Sequence, residues 1–437
     1  MKLKTLFEYS SERKNIALQE SLNESLDILN EGGAFGHMSH PFDDLSMTFN
    51  QINDITKIAL SGEIHKEEIA TEKLDGQALA VSWKDGHLIA ARNKGDRKNF
   101  GENAPGAQGV IDKFAGRGEL SDAFGFAATD LESAISKLKD KDLQDIFGEG
   151  KKFMHLEIVY PGSKNVISYD VARLIFHSIT EYDIDGEAIA SDKGAAKKLQ
   201  SLIKDINADI QKNFQIVEPV ALKLPKQVDF DDKVNYFNKK LSKIQKEYGL
   251  NDNSTIEEFL RQKFMEDIDD KDKNQDLTSL EVEGLLRRWI NGDKTFTLRG
   301  LSPKVRSSSL GKWIDTYDKK EFALAYKKHI EPLELYFLEL GATILRNMSG
   351  FLAANPDDAV QDIRAEVNKA IKGIEATKDI TKINKLNDLI NKINSIGGFA
   401  SIVPAEGVVF TYNGKTYKFT GAFAPVNQIT GMLKFGN

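Results

Sequence analysis

A change of hydrophobic period limits the fold more than any other feature of this sequence. Residues 228–400 repeat apolar side chains at helical spacing nearly throughout, which predicts helices over about 231–248, 254–268, 277–291, 319–353, 356–375 and 379–396. Asn355-Pro356-Asp357 marks one start and Gly397-Gly398 the last stop. On both sides of this run the pattern is short and β-prone. Residues 65–100, Phe153–Tyr160, Val171–Tyr182 and Val408–Thr420 read as strands. Strand blocks that enclose a helical run predict an α+β chain, with antiparallel sheets and a large all-helical insertion. The expected boundaries are a helical leader at 1–31, a sheet-bearing domain at 32–227 plus 401–437, and the insertion at 228–400.

Local signals fill in the rest. Lys84-Asp85-Gly86 and Asn413-Gly414 are hairpin turns. Residues 101–128 are Gly- and Ala-rich with little pattern, which predicts a surface loop. Thr129 to Phe147 has helical spacing, with Leu131, Ile135, Leu138, Leu143 and Ile146 near one face and Thr129 as N-cap. Ser191–Asn213 reads as a helix, and Phe214–Leu224 as an extended exit. His37 and His40 fall in a turn-rich segment that begins at Gly32.

Composition excludes several classes. The chain has no cysteine, so disulfides, thiolate metal sites and a cysteine nucleophile are ruled out. Seven scattered histidines show no metal-ligand spacing. No apolar run approaches the length of a membrane span, and the start lacks a secretory core. The net charge is −7, so any contact with nucleic acid must come from a local patch.

The chemistry gathers at Glu72-Lys73-Leu74-Asp75-Gly76, between two β-prone runs. A lysine among carboxylates at a strand end can serve as a nucleophile when burial and neighbouring charge favour its neutral amine. Gly76 lets the backbone pass close to a ligand. Taken alone, the stretch reads more readily as a surface lysine before a hairpin. Arg92 opens a basic segment that runs to Lys98, suited to phosphate or to solvent. Glu157 sits inside an apolar strand and must find a cation or a donor there.

In order, Lys73-Leu74-Asp75-Gly76, Ala91-Arg92-Asn93-Lys94-Gly95, the Glu157 strand, Leu174-Ile175-Phe176-His177, Glu406-Gly407-Val408-Val409 and Tyr417-Lys418-Phe419 resemble motifs I, Ia, III, IIIa, IV and V of the covalent nucleotidyltransferases. That superfamily contains ATP-dependent DNA and RNA ligases and messenger-RNA capping enzymes. The likeness covers about 65–225 and 401–437, and is greatest to a tailed-phage RNA ligase. It implies a ligase-type nucleotidyltransferase fold that uses ATP and Mg²⁺. Lys73, Glu406 and Lys418 would be catalytic. Glu72, Asp75, Gly76, Arg92, Glu157 and a base-stacking Phe176 would bind nucleotide, and Glu406 and Glu157 would hold metal. Lys73 would form a lysyl–AMP and pass AMP to a 5′-phosphate end, for joining to a 3′-hydroxyl. Two departures stand out. No OB-fold is expected after Thr420, and Thr420 replaces the second lysine of motif V. The other readings are a DNA ligase of the same superfamily and a non-catalytic nucleotide- or nucleic-acid-binding virion protein.

Inside the insertion, Arg287, Arg288, Lys294, Arg299, Lys304, Arg306 and Lys312 stand among Trp289, Phe296 and Trp313. This mixture suits phosphate contact with base stacking, RNA being favoured over DNA, or else a solvated face over core tryptophans. Leu29-Asn30-Glu31-Gly32 resembles the cleavage signal of phage prohead proteases. It implies cleavage after Glu31 and a protein found in the cytoplasm of an infected bacterial host or packaged in a virion.

Overall fold

The computed structural model describes residues 39–163, 166–210, 213–269, 277–292, 301–316, 319–353 and 355–434. The expected leader and its cleavage site, together with His37, Lys294, Phe296 and Arg299, lie outside these residues. The chain is α+β, with nine strands in two largely antiparallel sheets among the described residues. They are β1 (Thr71–Lys73), β2 (Gln77–Lys84), β3 (His87–Ala91), β4 (Lys152–Val159), β5 (Arg173–Tyr182), β6 (Ala188–Ser191), β7 (Ile216–Val217), β8 (Gly407–Tyr412) and β9 (Lys415–Thr420).

The larger sheet runs β3-β2-β4-β5-β6, with β7 parallel to β5. The smaller runs β1-β8-β9. Both expected hairpin turns form, and Asp85–Gly86 and Asn413–Gly414 take the left-handed conformation that a two-residue turn requires. The smaller sheet therefore joins a strand from early in the chain to two from its far end, across the whole helical run. Thr71 pairs with Val409 and Lys73 with Gly407.

The six helices expected in 228–400 form as Phe230–Glu247, Ile256–Asp269, Ser279–Gly292, Lys319–Leu345, Pro356–Ala376 and Ile380–Ser395. Asn355 caps one, its side chain accepting from Asp358 N–H, and Asp379 caps the next. The fourth ends eight residues earlier than expected, before a stretch that bridges Ser349 to Lys223. Two short helices, Pro303–Ser307 and Ser309–Thr316, were not foreseen.

The helical run has no core to itself. Its first part packs with the Phe49–Ser61 helix and with Val408, Phe410, Tyr417 and Phe419 of the smaller sheet. Its last two helices share a core with Leu74, Val159, Ile175 and the closing Phe423–Lys434 helix.

Residues 101–128 are not a loop. They hold the Ala107–Phe114 helix and most of a Glu119–Ile135 helix, whose buried Ala123, Ala127 and Ala128 let it lie close on the larger sheet. Thr129 is inside that helix, its hydroxyl donating to the Gly125 carbonyl, and is not a cap. The five apolar residues expected near one face do pack together: Leu131, Ile135 and Ile146 are buried, with Leu138 and Leu143 against them.

Candidate active site

Alternation along the strands decides which motif residues meet. On β1, Lys73 faces one side of the smaller sheet and Glu72 the other. Lys73 Nζ lies 2.8 Å from Glu406 Oε1, at the start of β8. Lys418 on β9 pairs with Val409 and shares the Lys73 side. Glu157 on β4 is half-buried. Its Oε1 accepts from Gly76 N–H at 2.9 Å and its Oε2 bonds His177 Nε2 at 3.1 Å. The electrostatics join these groups, because Glu157 acts on Lys73 and Glu406, and Lys73 acts on Lys418.

Burial alone would weaken proton binding at Lys73. Glu406, Glu157 and Asp75 outweigh it and hold the ammonium above its ordinary pKa. Lys418 goes the opposite way, because burial and the Lys73 charge push it down against Glu406 and Asp43. Burial and the Glu157 carboxylate raise Glu406 despite both lysines. Burial also acts upward on Glu157, but the His177 bond, Lys73 and the Gly76 N–H bring it below the ordinary carboxylate range. The result is two carboxylates and two amines in one cleft.

Gly76 is tight against protein, not against an open ligand space. A Cβ there would stand 2.7 Å from Glu157 Cγ and from Ile158 O. Asp75 is buried, and its Oδ2 accepts from Val166 and Ile167 N–H at 2.7 and 2.8 Å. It anchors the loop after β4, and burial followed by the Glu406 charge pushes its carboxyl up to about 7.

Three expected nucleotide contacts lie elsewhere. Glu72 points away from the cleft and is 1% exposed, with Oε2 accepting from Leu352 N–H at 2.7 Å. Phe176 pairs with Leu156 and is buried with Leu79, Val81 and Leu156 on the opposite face of the larger sheet. Arg92 also turns to that face, its guanidinium over the rings of Phe124 and Phe114 at 4.9 and 5.4 Å. The segment after it opens as a helical turn over 94–97 and is then broken by non-helical backbone at Lys98, Asn99 and Phe100, so only part of it is the expected loop.

His177 is the residue that sequence reasoning passed over. The β4–β5 register slips there, since His155 pairs with Ser178 and Leu156 with Phe176. The extra residue is His177, and the bulge turns its ring onto Glu157. Alternation from Glu157 across to β5 excludes Phe176, and its polar neighbour was the available signal.

The basic segment of the insertion divides. Trp289 is buried and packs edge-on against the half-buried Trp313, and it also contacts Phe264 and Phe322, so both tryptophans belong to the core. Arg287, Arg288, Lys304, Arg306 and Lys312 are exposed. Arg287 pairs with Glu257 and Lys304 with Glu281, while Arg306 and Lys312 make no ion pair among the described residues.

Thr420 is buried against the Lys319–Leu345 helix. A Cβ on Gly341 would fall 2.2 Å from Thr420 O, so the helix backbone rests directly on the end of β9. Its side chain falls on the Lys73 and Lys418 side of the smaller sheet, since Gly407 pairs with both Lys73 and Thr420.

Among the described residues no helix is long and apolar enough to cross a membrane. No group of three or more His, Asp or Glu among them could hold an ion unaided. No protein-family model, curated protein or solved structure matches this chain.

Proposed function

We propose that this chain is a covalent nucleotidyltransferase with a ligase-type fold, acting as an ATP-dependent RNA ligase through a lysyl–AMP. The observation that carries this reading is the 2.8 Å pairing of Lys73 with Glu406, in a cleft that also holds Glu157 and Lys418. These four residues come from distant parts of the chain, and Lys73, Glu157, Glu406 and Lys418 stand in the order of motifs I, III, IV and V.

In the first step the neutral Lys73 amine attacks the α-phosphorus of ATP. An N–P bond forms, the bond to the bridging oxygen breaks, and pyrophosphate leaves with its electron pair. Glu406 is placed to take the amine proton. Lys418, as an ammonium, offsets charge on the phosphates in the transition state. Glu157 and His177 line the same cleft and supply hydrogen bonds to the nucleoside. His177 takes the ring position first assigned to Phe176.

Two half-buried carboxylates fit Mg²⁺, which commonly takes one or two protein carboxylates and completes its shell with phosphate oxygens and water. Glu406 and Glu157 would hold it, and when bound it screens phosphate charge. In the second step a 5′-phosphate end takes AMP from Lys73, and in the third a 3′-hydroxyl displaces it. Exposed Arg288, Arg306 and Lys312 offer the strand a basic surface within an acidic chain. The cytoplasm of an infected bacterial host, with passage in a virion, is the setting this reading implies.

The test is incubation of wild type, Lys73→Ala and Lys418→Ala with α-labelled ATP and Mg²⁺, followed by denaturation. Acid-labile label on wild type, none on Lys73→Ala and slower label on Lys418→Ala is the expected result. Equal label on Lys73→Ala overturns the assignment. Absence of label from folded protein free of bound AMP would select the non-catalytic binding protein. Activity on nicked duplex DNA with none on RNA would select the DNA ligase.

A further inference from the structure

We propose that Arg97 is the recognition group of a second oxyanion pocket, on the Glu157 face of the larger sheet, which takes a phosphate group. Arg97 is 6% exposed, yet its Nε and Nη1 are shut from water and have no acceptor. Its guanidinium lies over the Tyr182 ring, 4.8 Å from the centroid. The Tyr182 hydroxyl bonds His155 Nε2 at 2.9 Å. His155 and Glu157 share a face of β4, and His155 in turn feels both Arg97 and His177. Arg97, Tyr182 and His155 therefore lie on the same face of the larger sheet as the Glu157–His177 bond.

No carboxylate neutralises this cation among the described residues. Asp96 is spent on Arg92 N–H and the Asn93 amide. Glu187 pairs with Lys94, and Asp183 Oδ1 accepts from Asp185 and Glu187 N–H. Glu157 bonds Gly76 N–H and His177 rather than Arg97. His155 cannot balance it either, because an imidazole offers no negative charge and its Nε2 is bonded to the Tyr182 hydroxyl. A buried guanidinium with nitrogens unpaired is costly, and an anion is what removes that cost.

The backbone is strained to place it. Asn99 and Phe100 leave the helix at φ 52° and 55°, left-handed values that non-glycine residues seldom adopt. Asn99 N–H is held by the Ile184 carbonyl at 2.8 Å. Gly186 brings that turn so near that a Cβ would stand 2.8 Å from Lys94 O. Such strain marks ligand clamps, and planar guanidinium donors match phosphate oxygens.

The oxyanion pocket stands on the geometry alone. The choice of phosphate rests on the nucleotidyltransferase reading. Two sources share this chemistry, a phosphate of the nucleotide and the 5′-phosphate of a strand. The experiment measures binding of inorganic phosphate, ATP, and 5′-phosphorylated and 5′-hydroxyl RNA to the full chain, by thermal shift and by titration. Wild type, Arg97→Gln, Arg97→Lys and Lys73→Ala are compared. We expect Arg97→Gln to bind at least one phosphorylated probe about tenfold or more weakly, with Arg97→Lys between it and wild type. Lys73→Ala, which abolishes labelling, should keep that binding, so that a failed enzyme reading does not pass for a failed pocket. Loss confined to ATP identifies the nucleotide phosphate. Loss of the preference for 5′-phosphate over 5′-hydroxyl identifies the strand end. Arg97→Lys carries the test if Arg97→Gln does not fold. Wild type that binds none of the probes, or variants that bind all of them as wild type does, overturns the proposal.

Discussion

Replacing Glu72 with Gln should make the protein more stable at alkaline pH and leave it level or weaker in acid. Glu72 is buried under the smaller sheet. Burial, reinforced by the Glu157 charge and opposed by the Leu352 N–H, pushes its carboxyl from 4.5 up to about 8. An acid raised in this way favours the folded state in its protonated form. The resulting stability is fully present below the unfolded value and is lost as pH rises through the folded one. At about 1.4 kcal/mol per decade, ionisation costs the fold about 3 kcal/mol near pH 7 and about 5 kcal/mol above pH 8. Gln removes this cost and keeps an oxygen for Leu352 N–H. Against that, its amide places donors where Glu72 Oε1 has no partner, a penalty of about 1–3 kcal/mol. Urea unfolding should therefore find Glu72→Gln between level with wild type and about 2 kcal/mol weaker at pH 5, and about 2–4 kcal/mol stronger at pH 9. Parallel stability curves for the two proteins over that range would refute the reasoning. They would show that Glu72 stays charged, or exposed, in the native state.

Four further outcomes are expected. Gly76→Ala should cost about 1–3 kcal/mol in thermal unfolding and slow labelling, because its Cβ meets Glu157 Cγ and Ile158 O. Phe176→Ala should cost about 3–5 kcal/mol by leaving a core cavity, whereas His177→Ala should hold stability within about 1 kcal/mol and weaken ATP-dependent labelling. Thr420→Lys, which restores the usual second lysine of motif V, should lower stability by about 2–4 kcal/mol without faster labelling, since it places a third ammonium at a buried position on the Lys73 and Lys418 side of the sheet. Glu406→Gln should shift the reaction of Lys73 with amine-selective reagents to lower pH, mapped peptide by peptide, because the nearest charge that raises its proton affinity is gone. An unchanged profile would mean that Glu406 does not set that affinity.

The sequence reading succeeded where one side chain dominates the local choice. Asn355 and Pro356 announce a helix start, and Asp85-Gly86 and Asn413-Gly414 announce hairpins, through chemistry confined to a few residues. It failed at 107–128 because alanines bury a helix without giving a strong apolar period. Phe114 and Phe124, stacked at 3.9 Å, close that layer from separate helices. At the site, Lys73, Glu157, Glu406 and Lys418 were legible as types in order. Their orientation was legible only in part. Glu72 beside Lys73 had to face the other way by strand alternation, and that inference was open from the start. The bulge at His177 was not, because it arises from pairing between two strands. Arg97 was hidden for a similar reason: its inward turn depends on the left-handed backbone at Asn99 and Phe100 and on the clamp from Ile184 and Gly186.

The motif residues thus divide into those that face the cleft and those that build it. Lys73, Glu157, Glu406 and Lys418 face it; Asp75, Gly76, Glu72 and Thr420 shape its walls through backbone and packing contacts. This division bears on the state of the nucleophile. With Glu406 at 2.8 Å and Glu157 nearby, Lys73 rests as an ammonium and cannot attack. The same two carboxylates are the groups suited to a cation, and Lys418 opposes the charge on Lys73 from the same side. If Lys73 is the nucleophile proposed above, a resting cleft of this kind holds it inert by default. Its amine would be released only when Glu406 and Glu157 have something else to bind, which would couple the reactivity of Lys73 to occupancy of its own site.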